Sequence, residues 1–215
     1  MRTGGDCIVS PSYYCFRVKD ENVLCPEYLD IWFKRPVFDR YARFNSWGSA
    51  TEFFTFDDFC ATEIMLPPIS EQRKIVHDYQ VITDRIELLR KMNENLEEQA
   101  YTLFQQAIDG FEKDGVLSDV AVITMGTSPE GETMNSIGKG EVFYQGRTDF
   151  GFRFPTVRLY TTEAVRRAKC GDVLMSVRAP VGDINIAKED CAIGRGLASI
   201  RPKDKCYSFM YYTMK

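Results

Sequence analysis

The longest regular pattern of apolar positions in the chain lies between Ser70 and Gly110. Within it, seam positions recur at alternating spacings of four and three residues, which is the heptad repeat of a coiled-coil helix. These positions are Ile75, Tyr79, Ile82, Ile86, Leu89, Asn93, Leu96, Ala100, Leu103 and Ala107. The Pro67-Pro68 pair stops the preceding element. Ser70 can cap the first helical turn and Gly110 can end the last one, so we predict one helix across the segment.

The predicted helix is too long for an ordinary core helix of a small domain. About forty residues at 1.5 Å each give a rod of roughly 60 Å. This length favours a coiled-coil spacer that pairs with a second helix over an amphipathic helix covered by one core. Asn93 is the polar exception in the seam, and such a residue fixes helix register at some cost in stability.

The segments on both sides of this helix mix strand-like and helix-like patterns. Before it we predict a strand over 12–18, helices over 26–34 and from 36 onward, a polar turn over 45–51, a short helix near Asp57 and a strand over 62–66. After it we predict strands near 119–125, 142–144, 172–177, 183–187 and 197–200, and one helix over 162–168. The fold class is therefore α+β, with two mixed flanks on one long helix.

The two flanks contain an internal repeat. Residues 6–20 align with residues 190–204 at a constant offset of 184, with identical Asp, Cys, Arg, Lys and Asp at five of the fifteen positions. After a gap of three residues, 28–34 continues against 209–215 with matched apolar residues. If a unit begins near residue 113 and runs on through the repeat, the chain opens on the late part of one unit and closes on the early part of another. We expect neither domain to be complete.

Composition restricts the classes of function. The 215 residues are 44% hydrophobic, enough for a core, and carry 27 Lys and Arg against 31 Asp and Glu. Residues 1–68, 69–112 and 113–215 have net charges of −3, −4 and +3, so any contact with a polyanion must be local. No run of apolar residues reaches membrane-spanning length and the first residues do not resemble a signal peptide, which predicts a soluble, cytoplasmic protein.

Metal and nucleophile chemistry have little support in the sequence. The seven cysteines form no C-x-x-C pair, so we expect small buried side chains rather than disulfides or a zinc site. They are Cys7, Cys15, Cys25, Cys60, Cys170, Cys191 and Cys206. His77 is the only histidine, and we expect it on the surface of the long helix. There is no phosphate-binding G-K-[S/T] loop either, so catalysis is not expected.

Several motifs together resemble one known family. The run Leu66-Pro67-Pro68-Ile69-Ser70-Glu71-Gln72, followed by the heptad helix, resembles the connecting region of the specificity subunit of type I restriction-modification enzymes. The blocks at 126–129, 144–146 and 171–182 are similar to the opening half of that family's target recognition domains. Residues 45–59 resemble a closing half. Together these matches cover almost the whole chain.

The resemblance implies a reader of DNA sequence with two target recognition domains on antiparallel helices and no catalytic centre of its own. Its partners would be double-stranded DNA, methyltransferase subunits and a motor-nuclease subunit, and those subunits would bind S-adenosylmethionine, ATP and Mg. On this interpretation, residues 1–66 are the late half of one recognition domain, 67–112 the spacer helix and 113–215 the early half of a second domain. The chain would be a fragment or a short half-subunit.

Two chains of this order could form an antiparallel homodimer, in which each complete domain assembles across both chains. One rival hypothesis is a recognition fragment of a longer single-chain restriction-methylation enzyme. Another is a coiled-coil interaction protein without DNA affinity.

Candidate DNA contacts lie on short polar loops. Thr127 and Ser128 supply hydroxyls after a glycine, and the run Tyr144-Gln145-Gly146-Arg147 supplies a phenol, an amide and a guanidinium. Gln can pair with adenine, and Arg with guanine or phosphate, whereas the alternative for these segments is an ordinary β-turn. Arg178 follows a predicted strand, and Arg195 lies between two glycines twelve residues beyond the block 178–182. Each could instead support a carboxylate inside the fold.

A second polar loop lies in the first flank. Its candidate contacts are Asn45, Ser46, Ser49 and Thr51, with Arg40 and Arg43 on the preceding helix. We assign the aromatic residues Trp47, Tyr13-Tyr14 and Phe53-Phe54 to packing. The acidic run 94–98 is either a solvated helix face or a docking surface for a methyltransferase.

Overall fold

A computed structural model describes residues 8–10, 13–48, 53–112 and 115–215. The chain divides into two compact units, 1–95 and 96–215. The long helix contributes its first part to the first unit and its last turns to the second.

The first unit is mainly helical, with α1 (Pro26–Phe33), α2 (Pro36–Phe44), α3 (Phe56–Cys60) and the start of α4 (Ile69–Ile108). Proline opens α1 and α2, where its missing N–H costs no hydrogen bond. Thr55 caps α3 by accepting a hydrogen bond from the Asp58 backbone N–H at 3.1 Å. These three predicted helices are confirmed.

The two strands predicted in this unit are wrong. Residues 13–18 and 62–66 pair with no other strand in the described part of the unit, where the only bridge joins Trp47 to Phe53. A strand needs a hydrogen-bonded neighbour, and the aromatic pattern of 13–18 is used for packing against α1 and α3 instead. There, the Phe16 ring lies 5.7 Å from Phe33 and 5.1 Å from Phe59.

Gln72, from the P-P-x-x-E-Q motif, fixes the start of α4 to this unit. Its side chain is fully buried. The amide oxygen accepts a hydrogen bond from Cys25 N at 2.9 Å, and the amide nitrogen donates to the Val23 and Pro67 carbonyls at 2.9 and 2.8 Å. One side chain therefore satisfies three backbone groups that a buried loop would otherwise leave unpaired.

Helix α4 extends over 40 residues. It begins one residue before the predicted cap Ser70 and is followed by Gly110 in the left-handed conformation, φ 85°. The seam is solvent-exposed along most of its length, with Ile82 61% and Leu103 65% accessible. His77 is also exposed, as predicted.

The second unit contains two sheets. The strands are β1 (Ala121–Met125), β2 (Met134–Asn135), β3 (Glu141–Tyr144), β4 (Leu159–Thr161), β5 (Arg167–Ala168), β6 (Val173–Ser176), β7 (Ile184–Ile186), β8 (Cys191–Ile193) and β9 (Leu197–Pro202). An antiparallel sheet has the order β1-β9-β6-β7, and a mixed sheet has the order β2-β4-β3-β8-β5 with β3 parallel to β8. Two helices flank them, α5 (Leu117–Val120) and α6 (Tyr207–Met214).

The five strands predicted after the helix are confirmed, whereas the helix over 162–168 is wrong. Arg167 and Ala168 instead form β5, which pairs with Ala192 and Cys191 of β8. The edge of a sheet therefore recruits a segment whose own pattern is helical, and tertiary pairing overrides local preference.

The second unit has two apolar cores. Tyr144, Leu174, Ile193 and Leu197 belong to the first core. In the second core, Met210 and Tyr211 of α6 pack against Val173 and Ile200 of the antiparallel sheet.

The internal repeat has a structural counterpart only at its end, because residues 197–202 form β9 whereas the aligned residues 13–18 form no strand. The Asp20 carboxylate accepts a hydrogen bond from Asn22 N at 2.9 Å, and the Asp204 carboxylate accepts one from Cys206 N at 2.9 Å. Each turn leads to an eight-residue helix, α1 or α6. Residues 6, 7, 11 and 12 of the repeat lie outside the described part of the chain.

The cysteines only partly follow the prediction. Cys25 and Cys191 are buried, but Cys15, Cys60, Cys170 and Cys206 are exposed because they lie in surface segments. Cys7 is outside the described residues. The described residues contain no cluster of three or more metal-ligating side chains. They also form no helix long and apolar enough to span a membrane.

Candidate nucleic-acid interface

Four loops of the second unit meet at one edge, which we call the loop edge. They comprise residues 126–129 after β1, 145–149 after β3, 177–183 after β6 and 194–196 between β8 and β9. Backbone hydrogen bonds join them: Gly194 N donates to Tyr144 O at 2.8 Å, Thr127 N to Ile193 O at 3.0 Å, and Val177 N to Gly196 O at 2.9 Å. The loop edge is therefore a single hydrogen-bonded surface.

Two glycines permit this close approach of the loops. A Cβ at Gly126 would overlap the carbonyl oxygen of Gly194, and a Cβ at Gly196 would lie 2.7 Å from the Gln145 carbonyl oxygen. Gly146 differs, because a Cβ there would meet nothing within 4 Å. Its backbone is extended at φ −178°, which any residue can adopt, so the protein itself does not require glycine at this position.

The loop edge presents exposed donors. Gln145 and Thr127 are exposed, and Ser128 is half-buried. The Ser128 hydroxyl accepts a hydrogen bond from Arg195 N at 3.4 Å, which joins the first and fourth loops. Amide, hydroxyl and guanidinium groups therefore lie on one hydrogen-bonded edge.

The three arginines of this edge differ in their partners. Arg147 forms an ion pair through Nε with Asp183 of the third loop, and both side chains are about half exposed. Arg178 and Arg195 are exposed and pair with no carboxylate among the described residues. The alternative in which these two arginines support a buried carboxylate is therefore wrong for the described part of the chain.

Tyr144 cannot be a DNA contact, and its prediction is corrected. It belongs to the first core with no exposed surface, because β3 is an interior strand of the mixed sheet. Burial raises the pKa of its phenol to about 12, and its hydroxyl has no hydrogen-bond partner within the described structure.

The polar loop of the first unit is used largely for local structure. The Asn45 amide donates to Tyr41 O at 2.8 Å and the Ser46 hydroxyl to Ala42 O at 2.7 Å, so both satisfy carbonyl groups at the end of α2. Arg43 is exposed and pairs with Asp39 at 3.1 Å. Ser49 and Thr51 lie outside the described residues.

The aromatic residues of the first unit divide between core and surface. Trp47 is 75% exposed, so its assignment to the core is wrong. Trp47 lies on an isolated β-bridge at the surface, where the described residues offer its side chain no apolar core to pack against. Tyr13 and Phe53 are also exposed, whereas Tyr14 packs against Phe56 with ring centroids 5.2 Å apart.

Residue patterns did not indicate two carboxylates of the loop edge. Asp149 and Asp183 hold Arg158 and Arg147, at separations of 9 and 36 residues along the chain. Such pairs leave no periodic signal in a single sequence. They are created by the meeting of the loops.

Comparison with known proteins places this fold in a family. A family model described as the type I restriction modification DNA specificity domain matches residues 2–98. A putative type I restriction enzyme MjaX specificity subunit of Methanocaldococcus jannaschii is 34% identical over 171 residues, which are 70% of this chain and 40% of that protein.

Two solved structures are also similar. The HsdS subunit from Thermoanaerobacter tengcongensis has 34% identity and a TM-score of 0.48, over 89% of this chain and 53% of that one. The S subunit of a type I restriction-modification system from M. genitalium has 15% identity and a TM-score of 0.55, over 91% and 54%, which is a likeness of fold.

These matches support a specificity subunit of the type I restriction-modification family. The chain spans about half the length, or less, of the relatives it matches.

Proposed function

We propose that this chain is a DNA-recognition module of a type I restriction-modification complex and that its loop edge reads part of a split DNA site. The observation that carries the proposal is the meeting of four loops on one rigid edge, where Gln145, Arg178 and Arg195 are exposed and free of ion pairs in the described structure. Donors that are held in place and open to solvent meet the requirements of base and phosphate contact.

The side chains of the loop edge suit different parts of DNA. The Gln145 amide can form two hydrogen bonds with adenine, and each such pair discriminates by about 1–3 kcal/mol. Arg178 and Arg195 can bind phosphates or the major-groove edge of guanine. Thr127 and Ser128 add hydroxyl contacts. Gly146 leaves open space for the DNA backbone or a base edge.

Helix α4 would set the distance between two such contacts. Its 40 residues give about 60 Å, the length of roughly 17 or 18 base pairs. The exposed seam needs a second helix, and we propose an antiparallel pairing through Ile75, Tyr79, Ile82, Ile86, Leu89, Asn93, Leu96 and Leu103. A second copy of the chain is the proposed partner, and such a dimer would read a symmetric split site.

Chemistry would come from other subunits. A methyltransferase subunit would bind S-adenosylmethionine, and a motor-nuclease subunit would bind ATP and Mg. This chain would position them on DNA in the cytoplasm and would catalyse nothing itself. The division into residues 1–66, 67–112 and 113–215 remains our proposal for the roles of its segments.

Methylation-site mapping tests the function directly. Genomic DNA from cells with and without the gene is sequenced with detection of methylated bases. We expect a bipartite motif that disappears on deletion. An unchanged set of methylated motifs would refute the proposed function.

A further inference from the structure

Asp149 is the last residue of the loop that follows β3, and its side chain is buried. Its side chain is fully enclosed apart from about 1% of its surface. One carboxylate oxygen, Oδ2, accepts hydrogen bonds from the backbone N–H groups of Gln145 and Gly146, at 2.8 and 3.3 Å. The loop that carries the proposed base contact therefore rests on one carboxylate.

Arg158 neutralises this carboxylate from the outside. Its Nε and Nη2 both donate to Asp149 Oδ1, at 2.8 and 2.6 Å, and Nη2 also donates to the Thr148 hydroxyl at 3.0 Å. The Arg158 side chain is 51% exposed. Burial of a carboxylate is offset when an opposite charge and hydrogen-bond donors surround it, and Arg158 supplies the charge.

We propose that Arg158 is a positioning residue for DNA recognition, which holds the Gln145 backbone in place through Asp149. This inference rests on the proposed function of the loop edge. Arg158 provides a planar fork whose Nε and Nη2 both reach Asp149 Oδ1, and lysine keeps the charge but lacks this fork. The consequence for DNA is selective: loss of the fork lowers discrimination between sequences more than it lowers overall affinity.

The same unit offers a matched control. Arg167 on β5 also donates two hydrogen bonds to a carboxylate, that of Glu141, with both distances 2.8 Å. Its side chain is likewise 51% exposed. Glu141 begins β3, at the end of that strand away from the loop edge. The variants R158K and R167K thus make the same chemical change in two arginine–carboxylate pairs. Only the first pair has a buried carboxylate and supports the loop, because the Glu141 side chain is 43% exposed.

The experiment uses the full chain and two readouts. The first is hydrogen exchange of the Gln145 and Gly146 amides without DNA, which reports the positioning independently of any DNA binding. The second uses a random-sequence duplex library: wild type selects preferred duplexes, and the affinity ratio between a selected and a shuffled duplex is then measured for each variant across a salt series.

We expect R158K to speed exchange of these two amides and to lower the affinity ratio by about tenfold, with an unchanged salt slope on shuffled DNA. R167K should match wild type in both readouts. An R158K variant with wild-type exchange and a wild-type ratio would overturn the inference. So would an unchanged ratio with a reduced salt slope, because that result describes a plain phosphate contact.

Two further outcomes distinguish failure of the proposed function from unfolding of the variant. If wild type selects no sequence, the proposed function fails, while the amide exchange still tests the positioning role. If R158K unfolds, the variant R158Q is examined by the same exchange measurement. Protection at Gln145 and Gly146 equal to that of wild type would then reject the role.

Discussion

The carboxylate of Glu97, on α4, accepts a hydrogen bond from Arg153 Nη1 at 2.6 Å. Its other oxygen accepts one from Lys215 Nζ at 2.7 Å, and the Arg153 guanidinium lies 4.7 Å from the centre of the Tyr211 ring. This cluster fixes the last turns of α4 to the second unit. Glu97 is therefore not the solvated residue that its acidic run suggests, because its side chain is only 11% exposed.

Removal of the Glu97 charge should make stability less dependent on pH. Burial alone would raise the pKa of this carboxyl, but the hydrogen bond and charge of Lys215, together with Arg153, lower it below its usual 4.5. A lowered pKa gives stabilisation that is present above about pH 4.5 and is lost as the pH falls through the folded-state pKa. We expect E97Q to cost about 2 kcal/mol at pH 7 and less in acid.

Urea unfolding at several pH values, followed by circular dichroism, measures this effect. The exposed neighbour Glu98 supplies the control, and E98Q should behave as wild type. A constant difference between E97Q and wild type from neutral to acidic pH would contradict the assignment.

Gly146 and Gly196 should respond in opposite ways to alanine. G146A places its Cβ in open space and should leave the melting temperature unchanged or slightly raised, while it weakens DNA binding. G196A forces a Cβ against the Gln145 carbonyl and should destabilise the protein by about 1–3 kcal/mol. Thermal melting and DNA titration of both variants check this. Full DNA affinity in G146A would show that the open space is not a DNA contact.

The exposed seam of α4 predicts association. Light scattering over a range of concentrations should show a dimer that forms as concentration rises. L89E should remain monomeric, because it puts a charge on the seam, whereas Q80E adds the same charge outside the seam and should still associate. A wild-type mass that stays monomeric at the highest concentration would reject pairing with a second copy.

Gln72 should contribute strongly to the stability of the first unit. Q72A leaves three backbone groups without their partner, and we expect a loss of about 2–4 kcal/mol. The exposed Gln80 on the same helix is the control, and Q80A should cost less than about 0.5 kcal/mol. Chemical denaturation monitored by Trp fluorescence is suitable because Trp32 lies in the same core. Equal stability of Q72A and Q80A would argue against this role.

Arg178 and Arg195 should each contribute to phosphate binding. The slope of log affinity against log salt, measured with a duplex of mixed sequence, should fall by about 0.9 for R178Q and for R195Q. R166Q removes a guanidinium that is exposed outside the loop edge and should leave the slope unchanged. If all three variants have the same slope as wild type, these side chains do not contact phosphates.

Periodicity was sufficient for elements that stabilise themselves locally. The heptad pattern located α4 almost to the residue, and prolines located α1 and α2. Periodicity failed where pairing with a distant strand determines the structure. Strand β5 forms because it pairs with β8. Residues 13–18 have a strand pattern but pair with no strand among the described residues of their unit. Hydrogen-bonded neighbours far along the chain cannot be read from local spacing.

The loop edge was predicted in part for a similar reason. Glycines next to polar residues indicated where the chain turns, and Gln145, Arg178 and Arg195 do lie exposed in such loops. The sequence did not predict that the Tyr144 side chain points into the core. The carboxylates that hydrogen-bond to the loops were not predicted either, because Asp149 and Arg158 become neighbours only in the folded chain.

The matched turns at Asp20 and Asp204 stand 184 positions apart and lead into helices of equal length. A genetic exchange between the codons of these two turns stays in frame, and a turn still precedes the next helix on either side. It would delete or duplicate residues 21–204, which contain α1 to α5 and β1 to β9, as one block. The number of loop edges in such a gene can therefore change by whole steps.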